Sequence, residues 1–242
     1  MPSPAILAPE RIHPALWRGT QLAHGARATV ATGHAALQAE LPGQGWPAGA
    51  LTELLLARPG IGELRLLQPA LALCESQGPI VLLHPPHPPH IAAWIGAGFD
   101  PAQLLWVDPA STADTLWSAE QILKSGSCSA LLCWLPQARP DALRRLHLTA
   151  QASPTLFFAL RPAQAAHNPS PAPLRLLLRA VSGALAIDII KRRGPACAHT
   201  LFIPLEPALQ RSALSRHASY PLDRRPFSPA GTGRPAPALA PG

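Results

Sequence analysis

Charged side chains are scarce in this sequence of 242 residues, and lysine is nearly missing. Charged residues make up 14% of the chain, against about 25% in ordinary globular domains, and two lysines stand beside 18 arginines. Apolar residues nevertheless reach 48%, which is enough for a sizeable core. The formal charge of +7 permits contact with nucleic acid or an acidic protein but requires neither. The length accommodates one large α/β domain, or a core followed by a tail.

Signals of export and membrane insertion are also lacking. No stretch approaches the roughly 20 apolar residues of a membrane-spanning helix, and no basic N-terminal start leads into an apolar signal core. The four cysteines form no Cys-x-x-Cys pair, and Cys74, Cys128 and Cys133 stand in apolar stretches. We expect these three thiols to be buried and reduced. The sequence therefore predicts a cytoplasmic protein with no membrane contact.

One segment has the arrangement of a phosphate-binding loop without its chemistry. The apolar run Ala50–Leu56 precedes a short loop ending at Gly62, and residues with helical spacing follow. A working loop reads G-x-x-x-x-G-K-[ST], in which the lysine neutralises phosphate charge and the hydroxyl binds Mg²⁺. Here Ala57 stands at the first glycine position, Glu63 at the lysine position and Leu64 at the hydroxyl position. A carboxylate there repels a triphosphate, so a nucleotide is not the expected ligand.

The glycines Gly60 and Gly62 leave two interpretations of this loop open. The N–H groups at the start of a helix can hold a phosphate. Glu63, however, already places negative charge in the first helical turn, which favours a structural turn over residual phosphate binding. We therefore predict no bound cofactor.

Apolar strands alternate with helices between Leu51 and Leu160. Continuous apolar strands with intervening helices are typical of a mostly parallel sheet covered on both faces, which makes the expected fold class α/β. The runs Leu174–Arg179 and Ala184–Lys191 flank a Ser-Gly turn and predict a hairpin.

Composition divides the chain into three segments. Residues 1–27 are a proline-rich extension with a short predicted helix, and residues 28–204 form the core. Residues 205–242 lose regular apolar spacing and are expected to be a disordered tail rich in proline and arginine. Within the core, Thr32 and Ser111 are candidate N-caps of helices.

The order of these motifs resembles the ATPase core of the recombinase RecA. The similarity extends from about Ala28 to Leu160 and includes the turn-rich segment Leu41–Gly49. Within RecA-like proteins, the sequence is similar to the ImuA family associated with translesion DNA synthesis. The segments that carry this likeness are His13–Gly19, Leu41–Pro47, Arg58–Leu64, Leu104–Val107, Trp134–Pro136 and Lys191–Gly194. The resemblance implies a RecA-like core with a mostly parallel sheet flanked by helices.

The other parts of a recombinase ATPase site are missing from the sequence. The strand Ala130–Leu135 ends without an aspartate for Mg²⁺. The strand Ile80–Leu83 runs into His84, where the recombinase would place a catalytic glutamate. No catalytic residue of the recombinase can be transferred to this chain, and we do not expect it to be an enzyme.

Three histidines, His84, His87 and His90, invite a metal interpretation. The proline pairs between them favour a polyproline helix, in which the three rings would lie about 9 Å apart along one face. That spacing is too wide for one ion, so no metal site is predicted.

The resemblance implies a non-catalytic scaffold in SOS-induced, error-prone translesion synthesis. The expected partner is a Y-family-like polymerase homologue of the ImuB type. RecA, an error-prone replicative polymerase, a second copy of the chain and weakly bound DNA are further candidates. The related SulA proteins suggest an alternative, a cell-division inhibitor that binds the tubulin-like division protein. A cryptic ATPase is a third hypothesis, which the missing lysine, hydroxyl and acids disfavour.

Two sets of residues are candidates for a contact surface. The first set is basic and lies on the predicted hairpin: Arg175, Arg179, Lys191, Arg192 and Arg193. Clustered arginines suit phosphates and acidic partners, although a solvated strand end is the alternative. The second set is Trp17 and Trp46, which would anchor an interface if exposed and otherwise pack on their own domain. Trp106 and Trp134 lie in apolar strands and are expected in the core.

Overall fold

An eight-stranded sheet organises the protein. The structure is a computed structural model, and it describes residues 28–205. The helices are α1 (Ala35–Glu40), α2 (Glu63–Cys74), α3 (Ile91–Gly96), α4 (Thr112–Ser125) and α5 (Pro140–Ala150). The strands are β1 (Thr29–Val30), β2 (Trp46–Pro47), β3 (Ala50–Leu56), β4 (Ile80–Leu83), β5 (Leu104–Val107), β6 (Ala130–Trp134), β7 (Leu156–Pro162), β8 (Leu174–Val181), β9 (Ala184–Lys191) and β10 (Leu201–Pro204).

The strands of the main sheet lie in the order β10-β9-β8-β3-β7-β6-β4-β5, while β1 and β2 pair separately. Six strands, from β8 to β5, are parallel to their neighbours, and β9 and β10 continue the sheet antiparallel. Helices cover this sheet on both faces. The architecture confirms the predicted α/β class and is consistent with a RecA-like core.

Two apolar clusters, one on each face, hold the helices to the sheet. All seven residues of β3 are buried, because this strand lies mid-sheet between β7 and β8 and is covered on both sides. On one face Leu54 belongs to the same cluster as Leu67 of α2. On the other face Leu51 belongs to the same cluster as Leu123 of α4 and Leu146 of α5. The strand that leads into the following loop is therefore held between two packed layers.

Most predicted elements appear within one or two residues of their expected ends. Ser111 caps α4 as predicted, because its hydroxyl accepts a hydrogen bond from the N–H of Asp114 at 3.1 Å. The Thr32 prediction was wrong. Helix α1 begins after His34 without a side-chain cap, since Gly33 turns the chain at φ 77° and the Thr32 hydroxyl bonds the backbone of His34 in that turn.

The prediction that Trp106 lies in the core was also wrong. Trp106 is 51% exposed, whereas Trp134 is 7% exposed as expected. Strand β5 is an edge strand that pairs with β4 alone, so its side chains meet fewer neighbours than those of β6. An apolar run of four residues does not reveal whether its strand lies inside a sheet or at its edge.

The hairpin of β8 and β9 is confirmed, and β10 extends it as a strand that the sequence did not predict. Leu205, expected to begin the tail, packs against the apolar cluster on the α2 face. The remaining predictions for the tail, and those for the N-terminal helix and Trp17, lie outside the described residues.

The three cysteines in apolar runs, Cys74, Cys128 and Cys133, are buried free thiols, as expected. Burial raises the pKa of each of these thiols, which keeps them protonated and unreactive. Within residues 28–205, no helix is both long and apolar enough to cross a bilayer.

Candidate functional site

The loop between β3 and α2 is closed by a carboxylate of its own chain. Gly60 and Gly62 both take the left-handed conformation, with φ of 82° and 117°. Glu63, the first residue of α2, turns back over them. Its Oε1 accepts a hydrogen bond from the N–H of Gly60 at 2.8 Å, and its Oε2 accepts one from the N–H of Gly62 at 3.1 Å. The carboxylate therefore occupies donors that a phosphate would need.

This internal pairing disfavours a bound anion. Glu63 is 3% exposed, so a phosphate would have to displace a buried carboxylate or sit beside it. Hydrogen bonds to a charged acceptor contribute about 1.5–3 kcal/mol each, and the negative charge also suits the N-terminus of α2. Of the two interpretations of this loop, the geometry favours the structural turn.

Neighbouring residues complete the closure. Leu64, at the position of a magnesium-binding hydroxyl, packs against the core. A Cβ atom at Gly62 would lie 2.2 Å from Cδ1 of Leu205, so the end of β10 covers the loop closely. Ala57 is exposed at the end of β3. The loop therefore carries a buried acid and two apolar contacts where a nucleotide loop carries a lysine and a hydroxyl.

Within residues 28–205, neither β6 nor β4 ends in a carboxylate. Trp134, which ends β6, is buried, and its indole N–H has no acceptor among residues 28–205. His84 follows β4 at φ 53°, and its Nδ1 lies 3.1 Å from Oδ1 of Asp108 after β5.

The three histidines do not act as a group within the described part of the chain. His84 pairs with Asp108, whereas His90 caps α3 by accepting a hydrogen bond from the N–H of Ala93 at 3.2 Å. His87 is exposed between them. These residues form no common set of metal ligands in residues 28–205.

The predicted basic cluster is split by burial, and Arg175 does not belong to a surface. Arg175 is 5% exposed, and its Nε donates to Oε2 of Glu53 at 2.5 Å. Its other nitrogens donate to the carbonyls of Ala165, at 2.7 Å, and Asn168, at 3.2 Å. These carbonyls cover the Arg175 side chain, whereas Arg179 on the same strand is exposed.

The other four basic residues differ in exposure. Arg192 is 13% exposed and donates to Oε2 of Glu40 at 2.6 Å, so it links the end of β9 to α1. Three side chains remain exposed on or beside the hairpin: Arg179 near its turn, and Lys191 and Arg193 toward its opposite end. Arg179 pairs with Asp188 at 2.6 Å, and the ammonium of Lys191 donates to a carbonyl. The candidate contact surface therefore shrinks to Arg179, Lys191 and Arg193, which we call the hairpin basic patch.

Glu53 is the functional-looking residue that sequence analysis missed. It is fully buried and pairs with two buried arginines, Arg175 and Arg161, the latter through Nη1 at 2.7 Å. Arg161 also donates to the carbonyl of Ala138 at 3.2 Å, while Arg161 Nε has no acceptor among residues 28–205. The signal in the sequence was a carboxylate inside an otherwise apolar strand, because a buried charge requires a partner.

Trp46 is also unavailable as an interface anchor. Its side chain is fully buried and packs edge-on against Phe158, with ring centroids 5.3 Å apart and an interplanar angle of 88°. The alternative, packing on its own domain, is correct for this residue.

Glu40, the last residue of α1, takes part in a separate polar cluster. The hydrogen bond from Arg192 lowers the pKa of Glu40 and keeps it ionised. Cys197 and His199 lie beside it, and these three side chains are the metal-ligating group found within residues 28–205.

Comparison with known proteins adds no assignment: no family model and no curated protein matches the chain. The resemblance to RecA-like proteins is therefore an interpretation of the sequence motifs, and the mostly parallel α/β sheet is consistent with it.

Proposed function

We propose that this chain is a non-catalytic RecA-like scaffold in SOS-induced, error-prone translesion DNA synthesis, acting in the cytoplasm beside a Y-family-like polymerase homologue. The ordered motifs shared with the ImuA family motivate the pathway. The closed loop supports the absence of catalysis. RecA, an error-prone replicative polymerase and a second copy of the chain are further partners in this proposal.

One observation carries the non-catalytic part of the proposal. The carboxylate of Glu63 takes the N–H groups of Gly60 and Gly62, the donors on which nucleotide binding at this loop would depend. Leu64 and Trp134 add no metal ligand. Binding and hydrolysis of Mg-ATP would each require groups that these positions lack.

The hairpin basic patch is the surface that we assign to the partner or to DNA. Three exposed cationic side chains along one hairpin attract an acidic protein surface or phosphates. Contact with DNA would be weak and its salt dependence shallow, because three cations release few counterions.

The first test is biochemical. Purified protein should show no turnover of Mg-ATP above background, with or without single-stranded DNA. Robust hydrolysis that disappears in a Glu63→Ala variant would contradict the proposal.

The second test is genetic. Deletion of the gene should lower the frequency of damage-induced mutation while division stays normal, and the wild-type gene should restore it. Replacing Arg179, Lys191 and Arg193 together with alanine should abolish this restoration. A matched control replaces Arg65, Arg139 and Arg144, which are also exposed, and should restore it fully.

The same experiment separates the alternative. Filamentation after overproduction, with unchanged mutation frequency in the deletion strain, would favour a SulA-like inhibitor of the tubulin-like division protein. Equal restoration by both triple variants would leave the scaffold role intact but remove the hairpin basic patch from it.

A further inference from the structure

Three potential metal ligands from distant parts of the chain meet beside α1. Glu40 is the last residue of α1, while Cys197 and His199 lie in the connection between β9 and β10. Their ligand atoms all lie within 4.8 Å of one another. Glu40 and Cys197 are partly buried and His199 is exposed, so the cluster opens to solvent on one side.

Each of the two other ligands approaches a different nitrogen of the His199 ring. Nε2 of His199 lies 3.6 Å from Oε1 of Glu40, and Nδ1 of His199 lies 3.7 Å from Sγ of Cys197. Zinc bonds of about 2.0–2.3 Å at tetrahedral angles place two ligand atoms about 3.3–3.6 Å apart. The imidazole lies between the other two ligands, and rotation of this exposed ring offers either nitrogen to an ion.

We propose that Glu40, Cys197 and His199 form a zinc site. One thiolate, one imidazole and one carboxylate suit Zn²⁺ better than Mg²⁺ or Ca²⁺, which prefer oxygen ligands alone. Three protein ligands leave a fourth position for water on the exposed side.

Arg192 orients the Glu40 carboxylate for metal binding. Its guanidinium donates to Oε2 and to the backbone carbonyl of Glu40, which leaves Oε1 directed toward His199. A hydrogen-bonded partner that orients a ligand is typical of metal sites. With Zn²⁺, a thiolate, the Glu40 carboxylate and Arg192, the local charge is +1, which solvent on the open side can balance.

The ion would hold the β9–β10 connection against α1. That connection leads into β10 and then to Leu205, which covers Gly62. The zinc site would therefore fix the strand whose end closes the degenerate phosphate loop. This inference does not depend on the proposed role in translesion synthesis.

Zinc binding should follow the protonation of its ligands. The bound thiol loses its proton and the bound imidazole is neutral, so zinc binding competes with protons and should weaken in acid. The carboxylate poses no such barrier, because Arg192 lowers the pKa of Glu40.

The experiment uses the full chain, freed of metal and titrated with zinc against a chromophoric chelator. We expect one tight site per chain. Co²⁺ in place of zinc should give a thiolate charge-transfer band in the near ultraviolet and visible bands typical of tetrahedral coordination. Cys197→Ser should remove the charge-transfer band and weaken zinc binding about 100-fold or more, and His199→Gln should weaken it similarly.

The control is His87→Gln, which removes an exposed histidine outside the cluster and should leave the affinity unchanged. Circular dichroism of each metal-free variant checks folding. The proposal is overturned if no tight site is found. It is also overturned if Cys197→Ser and His199→Gln bind like the wild type, or if loss of binding requires removal of His84, His87 and His90 instead.

Discussion

Nε of Arg175 lies 2.5 Å from Oε2 of Glu53, inside a sheet where nearly every neighbouring side chain is apolar. Arg161 binds the other carboxylate oxygen, so a single negative charge joins two buried cations. Arg175 also binds carbonyls near the 3-10 segment Ala163–His167 and thereby attaches it to the sheet. Glu53 is the member on which this buried group depends, because both arginines pair with its carboxylate.

Glu53→Ala should destabilise the protein by about 3–5 kcal/mol, since it leaves two buried guanidinium groups without their carboxylate. Urea unfolding followed by circular dichroism measures the change. Glu120→Ala is the matched control, because Glu120 also pairs with two cations, Lys124 and Arg145, but at the surface. It should cost about 1 kcal/mol or less. Equal effects for both variants would contradict a structural role of burial here.

Glu63→Ala should lower stability by about 1–3 kcal/mol, because the N–H groups of Gly60 and Gly62 lose a charged acceptor. Sulfate or phosphate should then raise the melting temperature of the variant more than that of the wild type, at equal ionic strength. Asp114→Ala removes an acid from the first turn of α4, where no such pair of glycine donors is bound. These anions should not raise the melting temperature of Asp114→Ala more than that of the wild type. If they also fail to do so for Glu63→Ala, the loop without its carboxylate binds no anion.

His34 should make stability depend on pH. Burial lowers the pKa of His34 below 6.5, and the hydrogen bond from its Nε2 to the carbonyl of Leu66 opposes this only in part. The unfolded chain then binds a proton that the folded chain resists. Stability should be complete above about pH 6.5 and fall as the pH drops toward the lowered value.

Urea unfolding at pH 7.5 and pH 5.5 tests this dependence. His34→Gln should reduce the loss of stability between the two values, whereas His87→Gln, at an exposed position, should not. An unchanged loss in His34→Gln would assign the dependence to other groups.

Leu205 should mark the end of the chain needed for folding. A chain of residues 1–205 should melt with the stability of the full chain, as the composition of the tail predicts. Removing Leu205 as well should cost about 1 kcal/mol, because its side chain covers Gly62 and packs on the core. Thermal melts of the two truncated chains make the comparison. A large loss already in residues 1–205 would show that the tail packs.

Local sequence patterns predicted the helices and strands well, because the formation of these elements depends on nearby residues. The bounds of β3 and β9 were predicted to the residue, and Ser111 caps α4 as expected. These signals are carried by apolar runs, caps and turns within a few positions.

The predictions that were wrong or missing depend on contacts between segments that are far apart in the sequence. Trp106 is exposed because β5 lies at an edge, which only the strand order reveals. Arg175 is buried because its strand pairs with β3, opposite Glu53. The cluster of Glu40, Cys197 and His199 could not be predicted from the sequence, because its members meet only when β10 packs near α1. No periodicity within one element contains this information.

The bond between Glu63 and its own loop also bears on regulation. Nucleotide-driven proteins change affinity by exchanging an occupant, and each exchange gives them two states. Here the occupant is part of the polypeptide, present at all times and at a fixed distance. A nucleotide at this loop would first have to displace the Glu63 carboxylate from both glycines. We therefore expect control over what the protein binds to act through its amount or through other parts of its surface.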